Sequence, residues 1–296
     1  MILEKKHEEF RKWAVYEMNR SEVTSAKYRE AWLSYKKFIS ESEKELVFNS
    51  STIRQYLFWL RERGLKKSSA LVYFKLLKAF ATYLVKIDKC FTMSPFSEIA
   101  TPKPDKRLPE FLSIEEARQI IEVIEGYPFS RFEKSRNKVA IGLMLYAGLR
   151  KSELLNLRLN DLDLKEKKIR INLGKGAKDR IIAMHPTLAE WIEKYLIYRG
   201  KRKIDKLLVC CIRPNTQYSD TGLKSLFKLL KRETGMSRRL YPHLCRHSFA
   251  TLMLDSGANL EAIRSALGHT KLSTTALYLH CSEKMQAENI LKHPLG

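Results

Sequence analysis

Residues 101–111 read TPKPDKRLPEF, and three prolines in so short a stretch stop any helix or central strand. A proline ring fixes φ and removes a backbone donor, so this segment can neither continue a regular element nor build a core of its own. It therefore divides the chain into an N-terminal part over 1–100, a linker over 101–108 and a second part over 109–296. At 296 residues both parts are long enough to bury a core.

The two parts differ in the period of their apolar residues. In residues 25–40, SAKYREAWLSYKKFIS, large side chains recur at Tyr28, Trp32, Tyr35 and Phe38/Ile39, the spacing of one helix face. STIRQYLFWLRERG over 51–64 opens on capping residues and stops at Gly64. With the amphipathic stretch 3–18 and the apolar stripe of 68–87, these predict a bundle of about four helices. After the prolines, SIEEARQII starts a capped helix with Glu115 and Glu116 in its first turn, and NKVAIGLMLYAGL continues as a buried one. Alternation then switches to period two in KKIRINL and RIIAM around the turn GKGAKD, which predicts a β-hairpin. Helices are expected to resume near Pro186 and run to the end. The fold class is mainly α with a small β-sheet: a helical bundle followed by an α+β domain.

A net charge of +22, shared by both parts, points to a polyanionic partner, most often nucleic acid. Cys90, Cys210, Cys211, Cys245 and Cys281 show no paired spacing, and Met1 leads into the charged run ILEKKHEEFRK rather than a signal peptide. A reduced, cytoplasmic setting is expected, with no membrane partner, since the apolar run VAIGLMLYAGL is too short to span a bilayer.

Four stretches carry chemistry. In AGLRKSELLNL, Arg150 lies just past Gly148, where one helix breaks, and the next begins through Ser152 and Glu153; a guanidinium held there suits a phosphate. In LGKGAKDR, glycines flank Lys175 and carry its ammonium outward on a turn, which equally suits a lysine gripping DNA or merely solvated; the P-loop pattern is missing. In YPHLCRHSFATLMLDSG, Pro242 suits a first helical position and Gly257 a stop. His243 and Arg246, three apart, share one face near an N-terminus that favours anions, with Phe249, Leu252 and Met253 on the buried side. His243, Cys245 and His247 diverge around a helix, so a zinc site is not expected. The fourth is ANLEAIRSALGHTKLSTTALYLHC. Gly268 ends a helix, His269 lies just beyond it, and Tyr278 sits one turn past Thr274/Thr275.

Alone, Tyr278 reads as a packing residue. Beside two arginines, a lysine and two histidines it completes a phosphoryl-transfer site. Arg150 and Arg246 can neutralise the non-bridging oxygens, Lys175 can protonate the leaving 5′-oxygen, and a histidine can take the phenolic proton. No clustered carboxylates suited to two Mg²⁺ ions stand out, against a two-metal nuclease or transposase.

These motifs, in this order over roughly residues 108–290, resemble those of the tyrosine recombinase (phage integrase) family, most closely its compact Xer-type site-specific recombinases. The N-terminal bundle matches only in size and helical character, like the family's SAM-like core-binding domain. The resemblance implies Arg150 and Arg246 as phosphate clamps and Lys175 as general acid. His243 would be a base or orienting group, His269 a donor to the phosphate, Tyr278 the nucleophile forming a 3′-phosphotyrosyl link, and Glu153 a supporting acid. No cofactor or metal is implied, because the bond energy is kept in that link.

The implied partners are double-stranded DNA with short inverted-repeat sites and further copies of the chain. Four protomers would exchange strands in pairs through a Holliday junction, and the tail EKMQAENILKHPLG would dock on a neighbour. A partner recombinase or host activator stays open. Cys245 stands where leucine is more usual, which implies packing. Neither the N-terminal arm-binding domain of many phage integrases nor the insertion of integron integrases is expected, which favours a simple recombinase on short inverted-repeat sites. Chromosome dimer resolution, in chromosome partition, and mobile-element integration both stay open. The alternatives are a type IB topoisomerase with the same chemistry and a non-catalytic DNA-binding protein of the same fold.

Overall fold

The computed structural model describes residues 2–42, 45–102, 110–172, 179–213 and 215–268, and these form two compact units, within 1–107 and 108–296. The first unit is α1 (Ile2–Tyr16), α2 (Glu22–Glu41), α3 (Ser50–Glu62) and α4 (Lys67–Lys86). Ser21 caps α2 by accepting the Thr24 N–H, and Asn49 and Thr52 form a reciprocal capping box that starts α3. The stripe foreseen in α2 is the buried one, carrying Trp32, Tyr35, Phe38 and Ile39. It meets Phe10 of α1, Tyr56 of α3 and Phe80 of α4 in an aromatic core. Two hydroxyls of that core are satisfied: Tyr35 donates to the Val47 carbonyl (2.5 Å) and Tyr56 to Ser34 Oγ (2.7 Å). By length and composition α4 could cross a membrane, but here its apolar side, from Ala70 to Leu84, forms part of the bundle core.

The second unit begins with α5 (Ile114–Gly126) and α6 (Arg131–Leu145). Capping boxes open both, Ser113 with Glu116 and Ser130 with Glu133. The second box starts α6 six residues before the apolar run that marks it in the sequence. Next come α7 (Lys151–Asn156) and an antiparallel sheet, β1 (Leu162–Asp163), β2 (Lys168–Ile171) and β3 (Arg180–Ala183), in the order β1-β2-β3. In the β2–β3 ladder Ile169 faces Ile182 and Ile171 faces Arg180, which turns those four side chains inward. The turn of this hairpin, with Lys175, lies outside the described residues.

The chain continues through α8 (Pro186–Arg199), α9 (Asp220–Thr234), α10 (Pro242–Asp255) and α11 (Leu260–Leu267). Contrary to expectation, helix does not run on from Pro186: residues 200–213 and 215–219 are irregular. Gly200 ends α8 at φ +59°, and the buried Arg199 then holds the next segment by donating to the carbonyls of Ile204, Lys206 and Leu207. A guanidinium can satisfy several carbonyls of an irregular segment at once, a role that hydrophobic periodicity does not report.

Helix α6 is the centre of this unit, packed by α5, α8 and α10 around a core from Leu112 to Cys245. Cys245 is buried there, in agreement with a packing role. On α10 the inward residues are Leu244, Ser248, Phe249 and Leu254, whereas Met253 is 41% exposed, so Met253 does not belong to the buried side as expected.

Candidate functional site

The break between α6 and α7 places the first arginine. Gly148 takes φ +62°, and a Cβ there would meet the Phe249 ring of α10 at 2.5 Å. Glycine is thus required both by the turn and by the close approach of α10. Two residues on, Arg150 is the N-cap of α7, and its backbone N–H donates to Glu153 Oε2 (2.8 Å). Its guanidinium turns to the same carboxylate, with Nη1 donating to Glu153 Oε1 (2.7 Å), while Nη2 donates to the carbonyl of Gly268 (3.2 Å).

Two more guanidiniums converge on the same place. Arg180, from the inward face of β3, sets a fork on Glu153 through Nη1 to Oε1 (3.0 Å) and Nη2 to Oε2 (2.9 Å). Its Nε donates to the Ala266 carbonyl (2.7 Å). Arg246 of α10 lies beneath, only 3% exposed, and donates to the carbonyls of Gly148 (2.5 Å) and Leu267 (2.6 Å); its Nη1 is 3.9 Å from Glu153 Oε2. Three consecutive carbonyls at the C-terminus of α11, those of Ala266, Leu267 and Gly268, therefore accept one arginine each, from β3, α10 and the start of α7. A helix C-terminus carries partial negative charge and unsatisfied carbonyls, so cations gather there. Gly268 ends α11 in the left-handed conformation at φ +62°, where a Cβ would stand 3.0 Å from Arg180 Nη1.

The charge balance of this cluster is plain. Burial by itself pushes the Glu153 carboxyl upward, but the bonds from Arg180 and from the Arg150 backbone and side chain outweigh it and bring it to about 2. One fixed carboxylate thus stands among three guanidiniums, leaving a surplus of positive charge. Arg150, whose side chain is 32% exposed, brings that surplus to the surface. His243 is exposed in the first turn of α10. Partial desolvation and the charges of Arg246, Arg150 and Lys151 hold its imidazole below the ordinary value, so it is neutral near pH 7 and able to accept a proton. Such a site can hold a phosphodiester oxygen at Arg150 and take a proton at His243.

Of the residues singled out in the sequence, the structure brings Arg150, Glu153 and Arg246 into direct contact and sets His243 one turn before Arg246. His269 and Tyr278, like Lys175, lie outside the described residues. Two features escaped the sequence reading. Arg180 is one, although its signal was present: in the alternation RIIAM it falls in register with Ile182 and Met184, at an inward position where a charge needs a partner. The other is a largely apolar cavity of about 510 Å³, lined by Leu223, Phe227 and Leu240, to which Lys224, Lys228 and Lys231 of α9 contribute together with Lys151 and Arg239. The three α9 lysines follow one another at helical spacing on a single face. Among the described residues no group of His, Cys, Asp and Glu is placed to hold a metal ion.

A mainly helical α+β domain that gathers arginines from three separated stretches is suited to holding a phosphate backbone. Residues 110–285 match the Phage integrase family. A tyrosine recombinase of Pseudothermotoga lettingae is 34% identical over 264 residues, covering 86% of each chain. The XerD tyrosine recombinase of Halalkalibacterium halodurans is 33% identical over 266 residues, covering 88% of this chain and 87% of its own. Among solved structures, a XerA recombinase aligns over 98% of both chains with 25% identity and a TM-score of 0.55. The XerH recombinase in complex with its palindromic difH substrate shares the fold, with a TM-score of 0.74 over 90% of this chain and 79% of its own at 22% identity. The chain belongs to the phage integrase family of tyrosine recombinases, and within it to the compact Xer type.

Proposed function

We propose that this chain is a site-specific recombinase that cuts and rejoins double-stranded DNA through a covalent link to Tyr278. The single observation that carries the site assignment is the arginine cluster around Glu153, in which Arg150 is set by bonds to the carboxylate and to the end of α11, and Arg246 by bonds to the Gly148 carbonyl and to the end of α11. Arg150 binds a non-bridging oxygen of the scissile phosphate, and the buried Arg246 supports the charge from below. The Tyr278 hydroxyl attacks phosphorus and gives up its proton to His243. The bond from phosphorus to the 5′-oxygen breaks, Lys175 supplies the proton that the departing oxygen needs, and His269 donates to the phosphate. The 3′-phosphotyrosyl link retains the bond energy, so a second 5′-hydroxyl reverses the step on another strand.

The lysines of α9 supply the neighbouring backbone contacts, and the N-terminal bundle is a second DNA-binding domain. Four protomers pair two short inverted-repeat sites in the cytoplasm and pass through a Holliday junction, each docking its tail on the next. A short inverted repeat on the chromosome outside any mobile element would mark dimer resolution; one at the edge of an element would mark integration.

A nicked half-site duplex, chosen by binding from a randomised pool and incubated with the protein in EDTA, tests this reading. A covalent protein–DNA adduct is expected from the natural chain and none from Tyr278→Phe. Binding without an adduct would instead indicate a DNA-binding protein. An adduct accompanied by supercoil relaxation but no exchange between duplexes would indicate a topoisomerase.

A further inference from the structure

Arg180 is a charged residue on the inward face of a strand, 8% exposed, and no step of the proposed reaction uses it. Its three contacts nevertheless join two parts of the arginine cluster, the Glu153 carboxylate and the end of α11. The fork to Glu153 fixes both oxygens of the carboxylate that orients Arg150. Its Nε holds the Ala266 carbonyl, two residues before the Gly268 carbonyl that also receives Arg150. As the first residue of β3, it also stands five residues after Lys175 in the chain.

We infer that Arg180 is a positioning residue for strand cleavage, which acts by locking the Glu153 carboxylate and the C-terminus of α11 together so that Arg150 and Arg246 present one fixed geometry to the phosphate. This rests on the strand-transfer reading above. The physical reason is geometric. A carboxylate with one partner can rotate, whereas one gripped by a planar fork on one side and by a backbone N–H and a second guanidinium on the other has a single orientation. Arg150 takes its aim from that carboxylate. Without Arg180, Glu153 keeps Arg150 and gains freedom to swing, and the end of α11 loses one of its three arginine tethers.

The test uses the full chain and the same selected half-site duplex, with the scissile position as an ordinary phosphodiester or as a 5′-bridging phosphorothiolate, whose sulfur leaves without needing a proton. DNA affinity is read by fluorescence anisotropy and cleavage by single-turnover adduct formation, at a temperature where every variant is folded. Arg180→Met should slow adduct formation roughly 10- to 100-fold, as misplacement of a reacting geometry does. Affinity should stay within about two-fold, because a buried residue makes no phosphate contact. Arg180→Lys keeps the charge without the fork and should fall between the two; it also serves if the methionine variant does not fold. The sulfur leaving group should not restore the rate, and the Arg180→Met/Glu153→Gln double variant should be no slower than the slower single one, since both act through one unit.

Cleavage by both Arg180 variants at the natural rate, or slowing matched by weaker binding, would overturn the inference. Restoration by sulfur would overturn it too, since Arg180 would then act through proton delivery by the Lys175 hairpin. Additive losses in the double variant would mean that Arg180 acts apart from Glu153. If the natural chain itself forms no adduct, it is the strand-transfer reading that fails; if the natural chain reacts and the variants react equally, only the role of Arg180 fails.

Discussion

Replacing Glu153 by glutamine keeps the shape of the side chain and removes the one negative charge at the centre of the arginine cluster. The carboxylate is 6% exposed and accepts the Arg150 N–H, the Arg150 guanidinium and both arms of Arg180. Two estimates of its contribution agree. The depression of its pKa from 4.5 to about 2 corresponds to about 3 kcal/mol in favour of the charged folded form. Removal of one partner from a buried ion pair costs about 3–5 kcal/mol. The amide also turns an N–H₂ toward a guanidinium, donor against donor, which adds to the loss. Hydrogen exchange followed by mass spectrometry suits a chain of two units, because it reads each element separately. Amides of β3, α7 and α11 should exchange roughly 100-fold faster in Glu153→Gln at neutral pH, the equivalent of about 3 kcal/mol, while α1–α4 stay unchanged. The pH dependence has a definite sign. A depressed carboxyl contributes fully above about pH 4.5 and loses its contribution as pH falls through about 2, so natural and variant chains should converge toward pH 2 in unfolding experiments. Equal protection of β3 in the two chains at neutral pH, or a gap that persists at pH 2, would refute the reasoning.

Gly268→Ala should disturb the same cluster from the other side: a methyl at φ +62° pushes on Arg180, so local stability falls by about 1–2 kcal/mol and adduct formation slows, which exchange and single-turnover assays can measure together. In the N-terminal bundle, His7 is stacked on Trp32 and set edge-on to Phe80, and burial pushes its pKa from 6.5 down to about 4. Its folded form resists protonation, so bundle stability should be full above about pH 6.5 and fall by about 3 kcal/mol on the way down to pH 4. His7→Phe should flatten that limb in urea titrations followed by tryptophan emission, and an unchanged limb would place the acid sensitivity elsewhere. Lys228→Ala, on the basic face of α9, should weaken DNA binding across sequences and lower the slope of log K against log salt by about one. An unchanged slope would remove α9 from the interface.

How much of this was legible beforehand depended on whether a residue's role was local. Capping boxes and apolar spacing act within a few residues, so the helices of the bundle, the start of α5 and the end of α11 at Gly268 could be read directly. The hairpin could be read as well, because period two is a local pattern. The apolar run of α6 could be read but not its first turns, which are largely polar and are marked only by the box Ser130/Glu133. The irregular segment that follows Gly200 was missed because it is held by the carbonyl contacts of Arg199, not by any periodic pattern.

The site divides along the same line. The sequence by itself determined that arginines follow Gly148 and Pro242, that Glu153 stands one turn past Arg150, and that a helix ends at Gly268, because spacing and backbone punctuation fix such things. Only the tertiary structure decided that these stretches meet at the three last carbonyls of α11, and that Arg180 joins them around a single carboxylate. The reason is that a buried charge is defined by its partners. Arg180 and Glu153 are 27 residues apart, and nothing in the local pattern of either says that the other is there to neutralise it.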